Sequence, residues 1–279
     1  MKRYTFYILS ILVIGLSSCK TDFERIRASG DPEMIYDKAF ELYDKGDYLK
    51  AQTLFEQILS AYRGRAKAEQ LYYKYAYTHF YLGTYVSAAY YFKSFSSTFT
   101  SSSLREEADY MAAISNYNMS PSFRLDQTYT LEAIEDFQNF INMYPQSSRV
   151  PEANQLIDEM RAKLERKAFA EGRLYYDLKQ YESSIQSLDN LLRDFPESTN
   201  AESVRFLILK ASYDLAVNSI YEKKEERFKK VLDKYSDFIN KYPTSLKIKE
   251  ANAIKNNAEQ NLKELEYGRY QDKSTASRP

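Results

Sequence analysis

The sequence predicts an all-α protein built from about five helix pairs and closed by a C-terminal helix. Helix breakers are rare, with 7 Gly and 7 Pro among 279 residues. Charged residues make up 28% of the chain, and strong helix formers are abundant. One pattern of small and aromatic residues also recurs five times along the chain. Few breakers and a recurring apolar pattern together favour long helices joined by tight turns.

The N-terminal residues 1–18 predict a secretory signal peptide. Lys2 and Arg3 precede a mostly apolar run over residues 4–16, which is the usual arrangement of such signals. A helix of this length rises only about 20 Å, against about 30 Å of bilayer hydrocarbon. We therefore expect residues 1–18 to be removed rather than retained as a membrane span.

A cysteine follows this run in the tetrad Leu16-Ser17-Ser18-Cys19, which resembles the lipobox of bacterial lipoproteins. The resemblance implies that Cys19 is acylated and that residues 19–30 form a lipid-anchored linker. The alternative is an ordinary signal peptide with a chance cysteine near its end. Because the sequence contains 1 Cys, a disulfide framework within the chain and a zinc site built on thiolates are excluded.

Each repeat has a small residue, a large apolar residue four positions later and an aromatic residue seven positions after that. Such positions share one face of a helix and predict its buried stripe. A proline follows the last aromatic residue in three repeats, where it ends the helix. The five sets are Ala51-Phe55-Tyr62, Ala88-Phe92-Phe99, Ala133-Phe137-Tyr144, Ser184-Leu188-Phe195 and Val231-Tyr235-Tyr242.

A partner helix precedes each of these stripes. Small residues recur twelve positions before the small residue of the stripe, at Ala39, Ala76 and Gly172. Two helices approach closely only where both carry small side chains. Asp31-Pro32 predicts the start of the first helix, as its N-cap and first residue. The pattern therefore predicts antiparallel helix pairs.

Two short segments predict how later helices begin. Ser103-Leu104-Arg105-Glu106 and Thr199-Asn200-Ala201-Glu202 both fit the capping box, in which a hydroxyl and a carboxylate satisfy free amides of the first turn. We therefore expect Ser103 and Thr199 to be N-cap residues.

The scheme resembles the tetratricopeptide repeat, a helix-turn-helix unit of 34 residues, and the resemblance implies a superhelical array. The period is longer here, because successive small residues lie 37, 45, 51 and 47 positions apart. We assign N-terminal repeats to residues 31–145 and C-terminal repeats to residues 146–267, including a capping helix over residues 245–266. A polar tail over residues 268–279 is expected to be disordered.

The sequence indicates no enzyme, cofactor or metal site, and no nucleic-acid partner. Lys+Arg and Asp+Glu both number 39, whereas nucleic-acid binding needs a basic excess. Catalytic and phosphate-binding motifs are lacking. The single histidine, His79, falls on the face predicted to pack against a neighbouring helix, so we expect it in the core.

The first helices of the first two pairs carry more aromatic residues than a core requires. Counted from Ala39 and Ala76, the core face holds Ile35, Leu42, Tyr72 and His79. The six aromatic residues on the adjoining face form the candidate partner-binding groove: Tyr36, Phe40, Tyr43, Tyr73, Tyr77 and Phe80. A contiguous exposed apolar patch usually marks a partner site. The alternative is that these rings fill the inside of the array.

Basic residues lie near this face in the sequence and would pair a ligand carboxylate. They are Arg63, Arg65, Lys67 and Lys74.

A lipobox followed by about five such helix pairs and a helical extension resembles the BamD family, lipoproteins of the outer-membrane β-barrel assembly machinery. The resemblance implies a lipid-anchored protein on the periplasmic face of the outer membrane, without enzymatic activity. It also implies that the N-terminal repeats bind unfolded outer-membrane barrel proteins. The C-terminal repeats would dock on the BamA-like barrel-forming subunit, through residues 201–242 and the capping helix, with residues 222–230 at the rim.

Two other functions fit the same features. One is a different tetratricopeptide envelope lipoprotein, such as a pilotin or a cell-wall coordination factor. The other is a glycan-binding lipoprotein of the helical-repeat kind, for which tyrosine platforms would serve. The absence of Trp counts against glycan binding.

Overall fold

The structure, a computed structural model, describes residues 22–276, with side chains described over residues 22–267. The predicted signal peptide and Cys19 lie outside the described residues. All regular structure within residues 22–276 is helical, which confirms the predicted all-α class. The helices are α1 (Asp22–Ser29), α2 (Pro32–Asp44), α3 (Tyr48–Ile58), α4 (Ala68–Tyr81), α5 (Tyr85–Thr98), α6 (Arg105–Met119), α7 (Thr128–Met143), α8 (Val150–Asp177), α9 (Tyr181–Asp194), α10 (Ala201–Val217), α11 (Tyr221–Lys241) and α12 (Ile248–Ala276).

From α2 onward, the helices alternate between the two members of a repeat, as the sequence predicts. Neighbouring helices along the chain pack on one another within each compact part of the chain. The predicted start of α2 is confirmed: the carboxylate of Asp31 accepts from the amides of Glu33 and Met34, and Pro32 is the first helical residue. The turns of the first two pairs need a positive φ, which Gly46 and Gly83 provide at 78° and 71°.

The small residues lie at the closest helix contacts. Ala39 of α2 and Ala51 of its partner helix α3 are both fully buried. Gly172 in α8 contacts α9 so closely that the hydroxyl of Ser184 donates to its carbonyl over 2.8 Å. A Cβ at residue 172 would lie 2.5 Å from Leu188 Cδ2, so only glycine fits this crossing.

The predicted capping boxes do not form. No side chain caps α6 or α10 at its N-cap residue, which is Leu104 or Asn200. Each of the helices α6, α8, α10 and α12 is instead preceded by a serine. The Oγ of this serine accepts a hydrogen bond from the amide two residues later and donates one to a glutamate on an earlier helix. These serine–glutamate pairs are Ser102–Glu69, Ser147–Glu106, Ser198–Glu165 and Ser245–Glu202.

This serine is always three residues after the last aromatic residue of the stripe. It links the start of one helix pair to the preceding pair, whereas a capping box stays within one helix. The long-range bond is available because stacked pairs bring their first helices side by side. The geometry therefore favours the serine–glutamate pair over the local box.

The described residues form two compact units. The first unit contains the described part of residues 1–122 together with Asp126–Ile157, and the second contains Phe123–Leu125 and the described part of residues 158–279. The boundary falls within α8, later than the predicted boundary between residues 145 and 146. The difference arises because Ala153 and Ile157, at the start of α8, are buried in the first unit.

The last helix covers the C-terminal pair. Ala251, Ile254 and Ala258 of α12 are buried in one cluster with Phe238. The helix continues to Ala276, whereas the sequence predicts a disordered tail from residue 268; residues 277–279 lie outside the described part. A single glycine at position 268 costs a helix only about 1 kcal/mol and does not by itself end it. Within residues 22–276, no helix has the length and apolar content that crossing a bilayer requires.

Candidate functional site

The six aromatic residues of the predicted groove lie on α2 and α4 in the first unit, and folding uses them more than the sequence indicates. Tyr43 is buried, with 8% of its surface exposed, so its prediction as a groove-facing ring is wrong. Its ring lies among those of Tyr48, Tyr81 and Phe55. The other five rings are half-buried. That this face binds a partner remains a prediction.

Ring stacking fixes the α2 part of this face. Tyr36 stacks on Phe40 with ring centroids 4.4 Å apart. Phe40 in turn meets the fully buried Phe55 edge-on at 5.2 Å. Such arrangements add about 0.5–1.5 kcal/mol per pair beyond area burial. The rings are therefore held in one geometry by the first helix pair.

The α4 part is anchored by both packing and a hydrogen bond. Tyr77 meets Phe92 edge-on at 4.9 Å, and its hydroxyl donates to Glu107 Oε1 over 2.7 Å. Burial, and then this hydrogen bond, raise the pKa of Tyr77. Arg149 pairs with the other oxygen of the same carboxylate. Tyr77 thus supports the fold, and replacing it would disturb α4 as well as the face.

The most exposed ring in this region is Tyr81, which the sequence interpretation missed. Its exposed fraction is 49%. The ring stacks on Tyr48 of α3 at 4.4 Å and on Tyr77 of α4 at 5.6 Å, and its centroid lies 6.2 Å from that of the buried Tyr43 in α2. The i, i+4 spacing from Tyr73 through Tyr77 to Tyr81 was the signal that would have found it. We define the aromatic face as the rings of Tyr36, Phe40, Tyr73, Tyr77, Phe80 and Tyr81.

Two of the predicted basic residues lie over rings of this region. Lys67 Nζ is 4.7 Å from the Tyr36 ring centroid and also pairs with Glu33 at 2.6 Å. Lys74 Nζ is 4.3 Å from the Tyr43 ring centroid. Within residues 22–267, Lys74 has no carboxylate in ion-pair range. Its cation is therefore balanced only by an aromatic ring, which leaves it able to pair with an incoming anion.

His79 lies in the core, as predicted. Its exposed fraction is 9%, and its ring stacks on Tyr91. Gln52 Nε2 lies 2.9 Å from Nδ1, and it can donate only when that nitrogen carries no proton. Burial lowers the pKa of His79. Within the described side chains, His, Cys, Asp and Glu form no group of three that could hold a metal ion.

Folding stability is expected to depend on His79 near neutral pH. Because burial lowers the folded-state pKa below the ordinary 6.5, the unfolded chain binds the proton more readily. The contribution is present above about pH 6.5 and is lost as the pH falls towards the folded-state pKa. We expect His79→Gln to lose less stability than the wild type between about pH 7.5 and pH 5.5. Urea unfolding at both pH values measures this, and equal losses in the two proteins would contradict it.

The predicted docking rim over residues 222–230 forms the first half of α11 in the second unit. Lys229 pairs with Glu225 at 2.8 Å and Lys230 with Glu226 at 2.6 Å, both within the helix. Arg227 donates to Ser219 over 2.6 Å. Four of the eight charges of this segment are therefore paired along their own helix, as on a solvated helical surface.

Comparisons with known proteins agree with this architecture. The family described as outer membrane lipoprotein, YfiO, matches residues 28–204 and 167–274. A protein of Aquifex aeolicus, provisionally named outer membrane protein assembly factor BamD, is 28% identical over 215 residues, which cover 74% of this chain and 69% of that protein.

A crystal structure of a thermophilic TPR protein from Thermus thermophilus is 15% identical and covers 80% of this chain and 98% of its own, with a TM-score of 0.32. The fold assignment therefore rests on the helix pairs described above, and the family assignment on the sequence match. That match confirms the resemblance to the BamD family drawn from the lipobox and the repeats. The chain belongs to the YfiO family of outer membrane lipoproteins.

Proposed function

We propose that this protein is a non-enzymatic scaffold of the outer-membrane β-barrel assembly machinery, anchored by a lipid on Cys19. Its family and the assembly-factor name of the Aquifex relative support this role. The lipobox, formed by residues 16–19, supports the choice of Cys19. Three acyl chains hold far more strongly than a single chain, which binds a membrane only marginally.

The aromatic face is the proposed site for unfolded barrel proteins. The observation that carries this proposal is the half-exposed ring of Tyr81 next to Tyr43, whose ring lies under the ammonium group of Lys74. Lys74 has no ion pair in the described part of the chain. A segment with an aromatic residue and a terminal carboxylate would stack on this face and pair with the ammonium group. Barrel proteins that end in an aromatic residue have this chemistry.

The second unit is the proposed docking surface for the barrel-forming subunit. It would use α10, α11 and the C-terminal helix α12, with residues 222–230 at the rim. The family resemblance supports this part of the proposal. Charges at such a rim govern the association rate and its salt dependence more than the affinity.

Affinity capture of the tagged, lipidated protein from solubilised membranes tests both parts. We expect a large barrel protein with periplasmic repeat domains to be captured together with client barrels. Lys74→Met and Tyr81→Ala should each reduce client recovery, Lys74→Met by about tenfold, because a hydrogen bond to a charged group contributes about 1.5–3 kcal/mol. Lys179→Met, at an exposed lysine in the turn between α8 and α9 and outside both proposed sites, serves as the matched control.

A competitor peptide tests whether the site recognises the terminal carboxylate of a client. A peptide with the sequence of a barrel protein's last strand should release the captured clients when its C-terminal carboxylate is free. The same peptide with an amidated C-terminus should release far less. Capture of no barrel-forming subunit would overturn the scaffold role, and equal client recovery with Lys74→Met and Lys179→Met would overturn the client site.

A further inference from the structure

The first helix, α1, is fixed to the first helix pair. Ile26 is buried in the core of that pair, with 8% of its surface exposed. Gln57 Nε2 donates to the carbonyl of Arg27 over 3.0 Å, and Lys38 Nζ lies 2.9 Å from Asp22 Oδ2. Core packing and two polar contacts therefore hold the N-terminal end of α1 at a fixed place on the first unit.

The direction of α1 shows where the chain leaves the first unit. Its C-terminal end lies beside Gln57, near the end of α3. Its N-terminal end lies beside the start of α3, where Lys50 Nζ is 5.9 Å from the ring centroid of Phe23. The N-terminal end of α1 therefore lies near the turn between α2 and α3.

The segment that precedes α1 is short. Residues 20 and 21 separate Cys19 from Asp22, so a fully extended chain spans only about 10 Å. The polar headgroup layer on each side of a bilayer is about 5–7 Å thick. A lipid on Cys19 therefore keeps the turn between α2 and α3 at the membrane surface.

An apolar stripe is formed by exposed residues at one repeat position near the start of the second helices α3, α5 and α7. Its members stand two positions before the small buried residue of each repeat, about 200° around the helix and hence facing outwards. Their exposed fractions are 63%, 60% and 56%, for Leu49, Val86 and Leu131. The same repeat position in the second unit carries the charged residues Glu182 and Lys229.

The charged neighbours of Leu49 are neutralised locally. Lys50, next to Leu49, pairs with Asp47 at 2.7 Å. Lys45, at the same turn, pairs with Glu41. Burying Leu49 in the headgroup region therefore does not force a lone charge out of water.

We propose that the stripe of Leu49, Val86 and Leu131 contacts the lipid surface of the membrane that holds the anchor. The short tether, the position of the N-terminal end of α1 and the repetition of apolar residues at one outward position together carry this inference. It rests on the proposed lipidation of Cys19. The first unit would then meet the membrane through the outer faces of its second helices, α3, α5 and α7.

Tryptophan fluorescence tests the contact, because the chain has no Trp. Leu49→Trp and Val86→Trp are introduced singly into the full lipidated protein and reconstituted into phosphatidylethanolamine–phosphatidylglycerol vesicles with or without brominated acyl chains. We expect both to lose about half or more of their emission over brominated lipid, as interfacial side chains do at depths of about 5–10 Å.

Met34→Trp is the matched control, because Met34 is 44% exposed and lies at the opposite end of α2 from the turn. It should keep its emission. Equal quenching at Leu49, Val86 and Met34, or none at the first two, would overturn the proposal. Circular dichroism spectra matching the wild type establish that each variant is folded.

Vesicle flotation distinguishes a failure of the proposed stripe contact from a failure of the proposed lipidation of Cys19. If the wild type floats with vesicles and Cys19→Ala does not, the anchor holds and the quenching result decides the stripe alone. If Cys19→Ala floats equally well, the proposed lipidation is wrong and the tether argument fails with it.

Discussion

Replacing Phe92 with alanine is expected to lower the free energy of unfolding of the first unit by about 3–5 kcal/mol. The side chain is fully buried and occupies the central position of the second repeat stripe. Tyr73 and Tyr77 both pack on its ring. Its removal leaves a cavity that two rings of the aromatic face line, so we also expect lower client binding.

Hydrogen exchange followed by mass spectrometry measures this effect locally, which matters because a chain with two compact units need not unfold in a single transition. Amides of α4 and α5 should exchange much faster in Phe92→Ala. Tyr90→Ala, in the same helix at a residue 66% exposed, should change stability by no more than about 0.5 kcal/mol. Similar effects of the two substitutions would show that the stripe does not define the core.

Replacing Gly172 with alanine is expected to destabilise the second unit by about 2 kcal/mol. The new Cβ would lie 2.5 Å from Leu188 Cδ2 and 2.6 Å from Leu188 Cγ. Because Cγ is not a free end of the side chain, α8 and α9 must separate to accommodate it. Overpacking of this kind costs about 1–3 kcal/mol, which exceeds the gain of about 0.5–1 kcal/mol that alanine brings to a helix.

A double-mutant cycle with Leu188→Ala isolates this contact. Leu188→Ala alone should cost about 2–5 kcal/mol. In that background Gly172→Ala should become neutral or stabilising, because the clash is gone and only the helix propensity remains. The unfolding free energies of the four proteins, from urea denaturation, give the coupling. A destabilisation of the same size in both backgrounds would mean that the steric argument is wrong.

The sequence was less informative about the site than about the fold. The sequence pattern of a tyrosine on the face beside the small residues is the same whether its ring is exposed or covered. The sequence therefore placed the covered Tyr43 in the groove and left out the exposed Tyr81. Tyr43 is covered because Tyr81 of α4 and Tyr48 of α3 close over it. Both contacts join residues of different helices, and side-chain periodicity within one helix carries no information about contacts between helices.

The sequence by itself determined the helical class, the pairing of helices and the residues at their closest contacts. These features follow from residue spacing along single helices and from the few residue types that fit a tight helix crossing. Ala39, Ala51 and Gly172 are buried as that spacing requires. The tertiary structure alone decided the serine–glutamate pairs, the boundary within α8 and the packing of α1 on the first helix pair. Each of these depends on contacts between helices far apart in sequence, whose geometry is set only when the pairs stack.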